Sequence, residues 1–142
     1  MPSSATLHVS SVAIGDRAVL IEGESGAGKS DLALRLIDRG ATLISDDYTL
    51  LQRTDGDVIA LAPATIAGQI EVRGLGIVPL PFRDSVRVAL LVRLSDNPER
   101  FPEVEMRHVV GIAIREVAID GRSASAAIKV ELALKHLAGT AG

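Results

Sequence analysis

The chain carries, at residues 23–30, the segment Gly23-Glu24-Ser25-Gly26-Ala27-Gly28-Lys29-Ser30. It matches G-x-x-x-x-G-K-[ST], the pattern of a phosphate-binding loop (P-loop), at every fixed position. The glycines let the backbone curl so that successive N–H groups point at phosphate oxygens, and the lysine and serine can reach phosphate and Mg²⁺. The segment therefore predicts a site for the phosphates of a nucleotide, with ATP and Mg²⁺ as cofactors.

The sequence on either side of this loop fits the same interpretation. Residues 17–22 contain a continuous apolar run and predict a buried strand that leads directly into the loop. A helix is predicted from Gly28 to Arg39, because its apolar residues recur at helical spacing and Gly40 is suited to follow its end. The partially positive N-terminus of that helix would add to the attraction for phosphate.

Further elements follow from periodicity and turn residues. They are a strand at 7–14 with a Gly15-Asp16 turn, a strand at 42–44, a hairpin of 48–52 and 58–61 around Asp55-Gly56, a central strand at 86–94, short strands at 109–114 and 116–119, and a helix from an N-cap at Ser123 to Leu137, with Gly139 beyond it. The segment from Ile70 to Ile77 is interpreted as too glycine-rich for a regular strand. The prediction is one α/β domain over residues 1–142, a P-loop nucleotide-binding domain with a mixed, mostly β core and two main helices.

Composition narrows the classes of function. The chain has 142 residues, 47% hydrophobic and 2% aromatic, no cysteine, and a formal net charge of −3. So few aromatic rings and so little positive charge argue against nucleic-acid binding. Neither a signal sequence nor an apolar run of membrane-spanning length is found, so we expect a cytoplasmic, bacterial-type protein without a membrane partner.

Two adjacent carboxylates, Asp46 and Asp47, follow the apolar strand at 42–45. In P-loop enzymes an acidic residue at such a strand end approaches Mg²⁺ and the attacking group. One carboxylate could hold the metal through water while the other accepts a proton. Because side chains alternate along an extended chain, both can point inward only if the backbone kinks. A solvated Asp-Asp turn is the alternative interpretation.

Four motifs together resemble a known family. They are Gly23 to Ser30, Arg39-Gly40, Ser45-Asp46-Asp47 and Glu71-Val72-Arg73-Gly74-Leu75-Gly76-Ile77, in that order. This order resembles the C-terminal catalytic domain of HPr kinase/phosphorylase, whose own signature E-[IV]-R-G-L-G-I matches the last motif. The resemblance runs from His8 to about Leu134 and corresponds to short proteobacterial versions that lack the N-terminal domain.

The resemblance implies roles for individual residues. Asp47 would be the base that deprotonates a serine of HPr, with Asp46 as its neighbour, and His8 would assist that carboxylate. Lys29 would bind phosphate. His8 has a simpler alternative, an ordinary surface histidine.

It also implies a metal site and a charge-stabilising arginine. Ser30 and Glu71 would bind Mg²⁺, and Arg100 would stabilise the phosphoryl charge. The alternatives are a structural ion pair between Glu71 and Arg73 and a solvated surface position for Arg100.

The chain also departs from the family pattern. Asp31 stands where the family commonly has glutamate, which keeps the charge. Val117-Ala118-Ile119-Asp120-Gly121-Arg122 stands where the family has P-V-R-P-G-R, a segment that supports phosphorolysis. The prolines and the first arginine are missing, which puts the reverse reaction in question.

The predicted function is that of an ATP- and Mg²⁺-dependent protein serine kinase with a regulatory role. Its implied partner is an HPr-like phosphocarrier of the phosphotransferase system, and we expect a homo-oligomer. The alternatives are a nucleotide-binding regulatory module without transfer activity, a P-loop kinase of a small molecule, and a purely structural domain.

Overall fold

The computed structural model describes residues 3–24 and 26–138. Within these ranges the chain forms eleven β-strands and two α-helices. Ser25 and Gly139, both named in the sequence predictions, lie outside the described residues. In chain order the elements are β1 (Ser4–Leu7), β2 (Val9–Ile14), β3 (Arg17–Glu22), α1 (Lys29–Asp38), β4 (Thr42–Ser45), β5 (Thr49–Thr54), β6 (Asp57–Leu61), β7 (Gln69–Val72), β8 (Gly76–Pro79), β9 (Val86–Leu94), β10 (Glu105–Val109), β11 (Ile112–Ile119) and α2 (Ala126–His136).

Nine of the described strands form one mixed sheet in which β9 is central. The main order is β1-β5-β6-β9-β3-β2-β4. Strand β9 runs parallel to β3 and β11 and antiparallel to β6, and β10 pairs with the outer edge of β11. The predicted central strand at Val86–Leu94 is thus confirmed, and so is the mixed, mostly β core with two helices.

The sheet separates two apolar clusters. On one face, α1 and α2 pack their leucines and valines, among them Leu36 and Leu134, against Ile21 and Val92 of the central strands. The opposite face buries a second cluster that includes Leu20 and Leu91. Burial on both faces explains why β3 carries a continuous apolar run, Ala18 to Ile21, rather than an alternating one.

The predicted helices are present, with one shifted start. Helix α1 ends as expected, because Gly40 takes φ 111° and its N–H donates to the Ile37 carbonyl. Helix α2 begins at Ala126, three residues after the predicted N-cap at Ser123. The Ser123 carbonyl accepts the Ala126 N–H, so Ser123 opens a turn that precedes the helix.

The interpretation of Ile70 to Ile77 as non-strand was wrong. Strands β7 and β8 pair antiparallel there as a separate two-stranded sheet. Gly74 and Gly76 have φ of 90° and 95°, so the glycines supply the left-handed backbone of the turn. Glycine richness thus marked the turn of a hairpin, and each flanking strand is only four residues long.

The bounds of several other strands differ from the predicted ones. The two short strands predicted at 109–114 and 116–119 are one strand, β11, and its partner β10 begins at Glu105 inside the predicted loop. Strand β1 was not predicted as a separate element. Neither described helix has the length and apolar character that crossing a bilayer would require.

Candidate active site

A pocket of about 430 Å³ opens where β3, β4 and β7 end beside the N-terminus of α1. Four separate segments contribute to its wall: the glycine-rich loop, the first turns of α1, the link between β4 and β5, and the hairpin of β7 and β8. Its lining residues are Gly26, Gly28, Lys29, Ser30, Asp31, Leu34, Asp46, Asp47, Glu71, Val72 and Arg73. The fold therefore gathers the predicted loop, the aspartate pair and the signature segment around one cavity.

The glycine-rich loop connects β3 directly to α1. Gly26 and Gly28 adopt φ of 85° and 98°, and the Ala27 N–H donates to the Glu24 carbonyl at 2.9 Å. The N-cap of α1 is Gly28, and no side chain there accepts a hydrogen bond from the first turn. The amide groups at this helix start are therefore left for another acceptor, and anions suit that position.

Lys29 supplies a positive charge beside these amides. Its side chain is largely buried, and its Nζ donates to the Gly23 carbonyl at 2.8 Å. That partner is a neutral carbonyl oxygen. Among the described residues, no carboxylate forms a salt bridge with the Lys29 ammonium group. A phosphate oxygen is a stronger acceptor for a cation than a carbonyl, so the charge is available to an incoming phosphate.

Asp46 is the most connected side chain of the pocket. Its Oδ1 accepts from the hydroxyls of Ser30 at 2.6 Å and Ser10 at 3.0 Å, and its Oδ2 accepts the Glu71 N–H at 3.0 Å. It is 7% exposed. Asp46 thus ties the start of α1 to β2 and to β7, and it fixes the hydroxyl of the predicted metal-binding Ser30.

Asp47 differs sharply from its neighbour. Its side chain is 54% exposed, and its backbone takes φ of 67°. The Tyr48 N–H donates to the Asp46 carbonyl at 2.7 Å across this residue, which closes a γ-turn. The backbone kink that both carboxylates need in order to point inward is therefore present, and both line the pocket.

His8 lies between β1 and β2 and contacts this turn. Its Nε2 is 2.7 Å from Asp47 Oδ1, and its ring stacks on Tyr48 with centroids 4.8 Å apart and planes 21° apart. The structure thus brings His8 to the predicted base. Tyr48 was not among the predicted site residues.

Glu71 and Arg73 also line the pocket, on β7 and the turn after it. Both are exposed, and these two described side chains form no ion pair with each other, contrary to the structural alternative. Arg100 lies elsewhere among the described residues. It does not line the pocket, and its guanidinium lies 5.4 Å from the Phe101 ring centroid.

The segment from Val117 to Arg122, which departs from the family pattern, packs against the glycine-rich loop and α1. Arg35 of α1 donates to the carbonyls of Gly121 and Ser123. A Cβ at Gly121 would lie 3.0 Å from Leu94 and 3.4 Å from the Ala27 carbonyl. Residues 121–123 therefore contact both α1 and the glycine-rich loop.

An ion-pair network supports the strand that enters the loop. Arg107 of β10 contacts Glu22 at 2.8 Å and Glu116 at 2.8 Å, and Arg93 lies 3.2 Å from Glu116. Hydrogen bonding to Arg107 lowers the pKa of the Glu22 carboxyl, an effect that burial partly opposes. The pKa of Arg107 is raised mainly by the same bond.

The donor set suits Mg²⁺ without forming a complete cage. Mg²⁺ commonly takes one or two carboxylates and completes its shell with waters and substrate phosphates. Ser30, Asp46 and Glu71 contribute a hydroxyl and two carboxylates to the pocket lining. Within residues 3–24 and 26–138, no three His, Asp or Glu side chains form a ready metal-binding group. The residues therefore fit a metal that arrives with a nucleotide.

Sequence reasoning missed Ser10, Tyr48 and the pocket position of Arg73. Ser10 is fully buried in β2 and nothing in its neighbourhood distinguishes it from Ser11. Tyr48 could have been found as the chain's one tyrosine beside a candidate base. Arg73 stands inside the signature motif, but the motif assigned no role in the site to its side chain.

This mixed, sheet-dominated α/β fold matches known structures. The structure of the Hpr(Ser) kinase/phosphatase from Coxiella burnetii superposes with a TM-score of 0.81 at 26% identity, covering 92% of this chain and 88% of that chain. The HPr kinase/phosphorylase of Bordetella pertussis is 37% identical over 133 residues, covering 83% of this chain and 43% of the relative. That of Clostridium tetani is 44% identical over 75 residues, covering 53% of this chain and 25% of the relative.

The family model described as the HPr serine kinase C-terminal domain matches residues 1–137. The chain belongs to this family. It spans less than half the length of these two curated relatives. The resemblance stated from the four motifs is thereby confirmed at the level of family and fold.

Proposed function

We propose that this chain is an ATP- and Mg²⁺-dependent protein serine kinase whose acceptor is a serine of an HPr-like phosphocarrier protein. One observation carries the proposal. The glycine-rich helix start, Lys29, and the carboxylates of Asp46 and Asp47 line a single pocket. Positioning and charge stabilisation are the main requirements of phosphoryl transfer, and a phosphate site beside an exposed carboxylate can meet both.

The loop and Lys29 would bind the nucleotide. The amide groups at the start of α1 would donate to phosphate oxygens, and Lys29 would exchange the Gly23 carbonyl for a phosphate oxygen. Ser30, Asp46 and Glu71 would hold Mg²⁺ directly or through water. When bound, that ion would neutralise the phosphate charge that develops during transfer.

Asp47 would act as the base. Its Oδ1 is engaged by His8, while Oδ2 has no hydrogen-bond partner among the described residues. Oδ2 would accept the proton of the serine hydroxyl as the serine oxygen bonds to the γ-phosphorus and the bond from that phosphorus to the bridging oxygen breaks. His8 would hold the carboxylate in place.

Exposed apolar residues close in sequence to the pocket residues favour a protein acceptor over a small molecule. Leu75 and Ile77, on the same hairpin as Glu71, are 77% and 60% exposed, and Tyr48, next to Asp47, is 47% exposed. Large apolar side chains beside a polar pocket suit contact with a protein surface.

The setting of the reaction belongs to the same proposal. We place the protein in the cytoplasm, as a homo-oligomer with a regulatory role and without a nucleic-acid or membrane partner. The net charge of −3 supports the absence of nucleic-acid binding.

The test is transfer from ATP to purified HPr, with Mg²⁺ present and the mass of HPr measured afterwards. We expect one phosphoryl group on a serine. Asp47→Asn should lower kcat by about 10²- to 10⁴-fold, the range of a lost general base, and leave ATP affinity largely unchanged. Transfer at the natural rate by Asp47→Asn would remove Asp47 from the mechanism.

The other outcomes separate the alternatives. Transfer to a metabolite with none to HPr would favour a small-molecule kinase. ATP binding without transfer to any offered protein would favour a regulatory module. Either result contradicts the proposed function.

A further inference from the structure

The hydroxyl of Ser10 makes two hydrogen bonds to the aspartate pair. It donates to Asp46 Oδ1 at 3.0 Å and accepts the Asp47 N–H at 3.0 Å. Ser10 is 0% exposed, so water does not compete for these bonds. One buried hydroxyl therefore bridges the side chain of the first aspartate and the backbone of the second.

The backbone that Ser10 contacts is in a costly conformation. Asp47 has φ of 67° inside a γ-turn, and the positive-φ form of that turn is rare and strained. The pairing of β2 with β4 also changes register between Ser11 and Val12, just beside this point. Such a conformation persists only when surrounding bonds hold it, and Ser10 supplies two, one to the side chain of Asp46 and one to the N–H of Asp47.

We propose that Ser10 is a positioning residue that holds Asp47 in the turn presenting its carboxylate to the acceptor hydroxyl. Ser10 does not line the pocket and touches no reacting atom, so it acts through the aspartates. This inference rests on the proposed function, because it assigns Asp47 the role of base. Its structural half, the dependence of the turn on Ser10, can be measured without any transfer.

The chain offers a matched control in the next residue. Ser11 lies on the same strand, is also 0% exposed, and shares a hydrogen bond with the hydroxyl of Thr49 at 2.8 Å. None of the side-chain hydrogen bonds described for Ser11 reaches Asp46 or Asp47. Ser10→Ala and Ser11→Ala therefore remove the same group from equally buried positions, and only the first removes support from Asp47.

The kinetic arm compares phosphoryl transfer by the two variants. We expect Ser10→Ala to lower kcat by about 10- to 100-fold, because small misplacement of a catalytic group is costly. The KM for ATP should stay within about threefold, since the glycine-rich loop keeps its contacts. Ser11→Ala should keep kcat within about threefold of the natural protein.

The structural arm needs no substrate. Without its acceptor, the Asp47 amide should exchange its hydrogen about tenfold faster in Ser10→Ala than in Ser11→Ala. Tyr48 is the chain's one tyrosine and there is no tryptophan, so tyrosine emission reports its stack on His8. That emission should rise in Ser10→Ala and stay unchanged in Ser11→Ala.

Ser10→Cys keeps the experiment decisive if the alanine variant does not fold. It preserves the side-chain volume, offers only a weak donor and acceptor, and introduces a thiol into a chain without cysteine. It should shift kcat and amide exchange in the same direction as Ser10→Ala. Thermal unfolding of all variants identifies the folded ones.

Three results would overturn the inference. One is equal kcat in the Ser10 and Ser11 variants, another is a loss confined to the KM for ATP, and the third is an unchanged Asp47 amide and Tyr48 emission. If the natural protein transfers nothing to HPr, the proposed function fails, and the amide exchange and tyrosine emission alone decide whether Ser10 holds the turn.

Discussion

The two aspartates show how adjacent residues of one type take different environments. Asp46 is buried and its carboxylate accepts three hydrogen bonds, while Asp47 is exposed and contacts His8. The sequence predicted the pair, the need for a kink and the loop that faces it, because those follow from alternation and from a specific motif. It could not predict Ser10, because a buried serine in a strand carries no pattern of its own.

The contact between His8 and Asp47 predicts the effect of removing the imidazole. His8→Ala should lower kcat for phosphoryl transfer by about tenfold, because Asp47 loses a partner at 2.7 Å while its exposed carboxylate remains hydrated. The loss should be smaller than that of Asp47→Asn. Steady-state kinetics with ATP and HPr measure it.

His108 supplies the control for that substitution. It is an exposed histidine on β10 that does not line the pocket. His108→Ala should keep kcat within about threefold. If both histidine variants behave alike, contact with Asp47 is irrelevant to catalysis.

At the scale of elements, local signals succeeded where periodicity was strong. Strands β3 and β9 and helix α1 were predicted, since each buries a long apolar run or stripe. Strand β10 was missed because it is an edge strand with mostly exposed residues, and among the described strands it pairs with β11 alone. Its structural value comes from Arg107, which binds a residue 85 positions earlier in the chain.

Arg107→Met tests how much the contacts of β10 with Glu22 of β3 and Glu116 of β11 stabilise the fold. It should lower the free energy of unfolding by about 2 kcal/mol, because the buried Glu116 keeps only Arg93 and Glu22 loses its bidentate partner. Denaturant unfolding at neutral pH measures the loss. Arg39→Met removes a pair with Glu131 that includes no carboxylate as buried as Glu116, and it should change stability far less.

The ion pair between Glu22 and Arg107 predicts that the free energy of unfolding depends on pH. The folded chain holds the pKa of Glu22 below its ordinary value of 4.5, so its contribution to stability is present above that value. It is lost as the pH falls from 4.5 through the lower pKa of the folded state. The stability difference between the natural protein and Arg107→Met should therefore shrink over that interval. A difference that is constant with pH would contradict the assignment.

On the scale of the whole molecule, one sheet brings distant segments to one end. Strands β3 and β4 and the separate hairpin of β7 and β8 deliver the loop, the aspartates and Glu71 to the same pocket. The sequence predicted the class of fold and its family, because motif order is preserved along the chain. Strand order and register could not be predicted, since they depend on pairings far apart in sequence such as β1 with β5.

The central claim is that this pocket binds a nucleotide through its phosphates, and calorimetric titration with ATP and Mg²⁺ tests it most directly. We predict a saturable heat for the natural chain and an affinity at least about 30-fold weaker for Lys29→Ala, a loss of about 2 kcal/mol. The thermal unfolding temperature of the unliganded variant should stay close to that of the natural chain. No heat from the natural chain, or equal affinity in Lys29→Ala, would contradict the account.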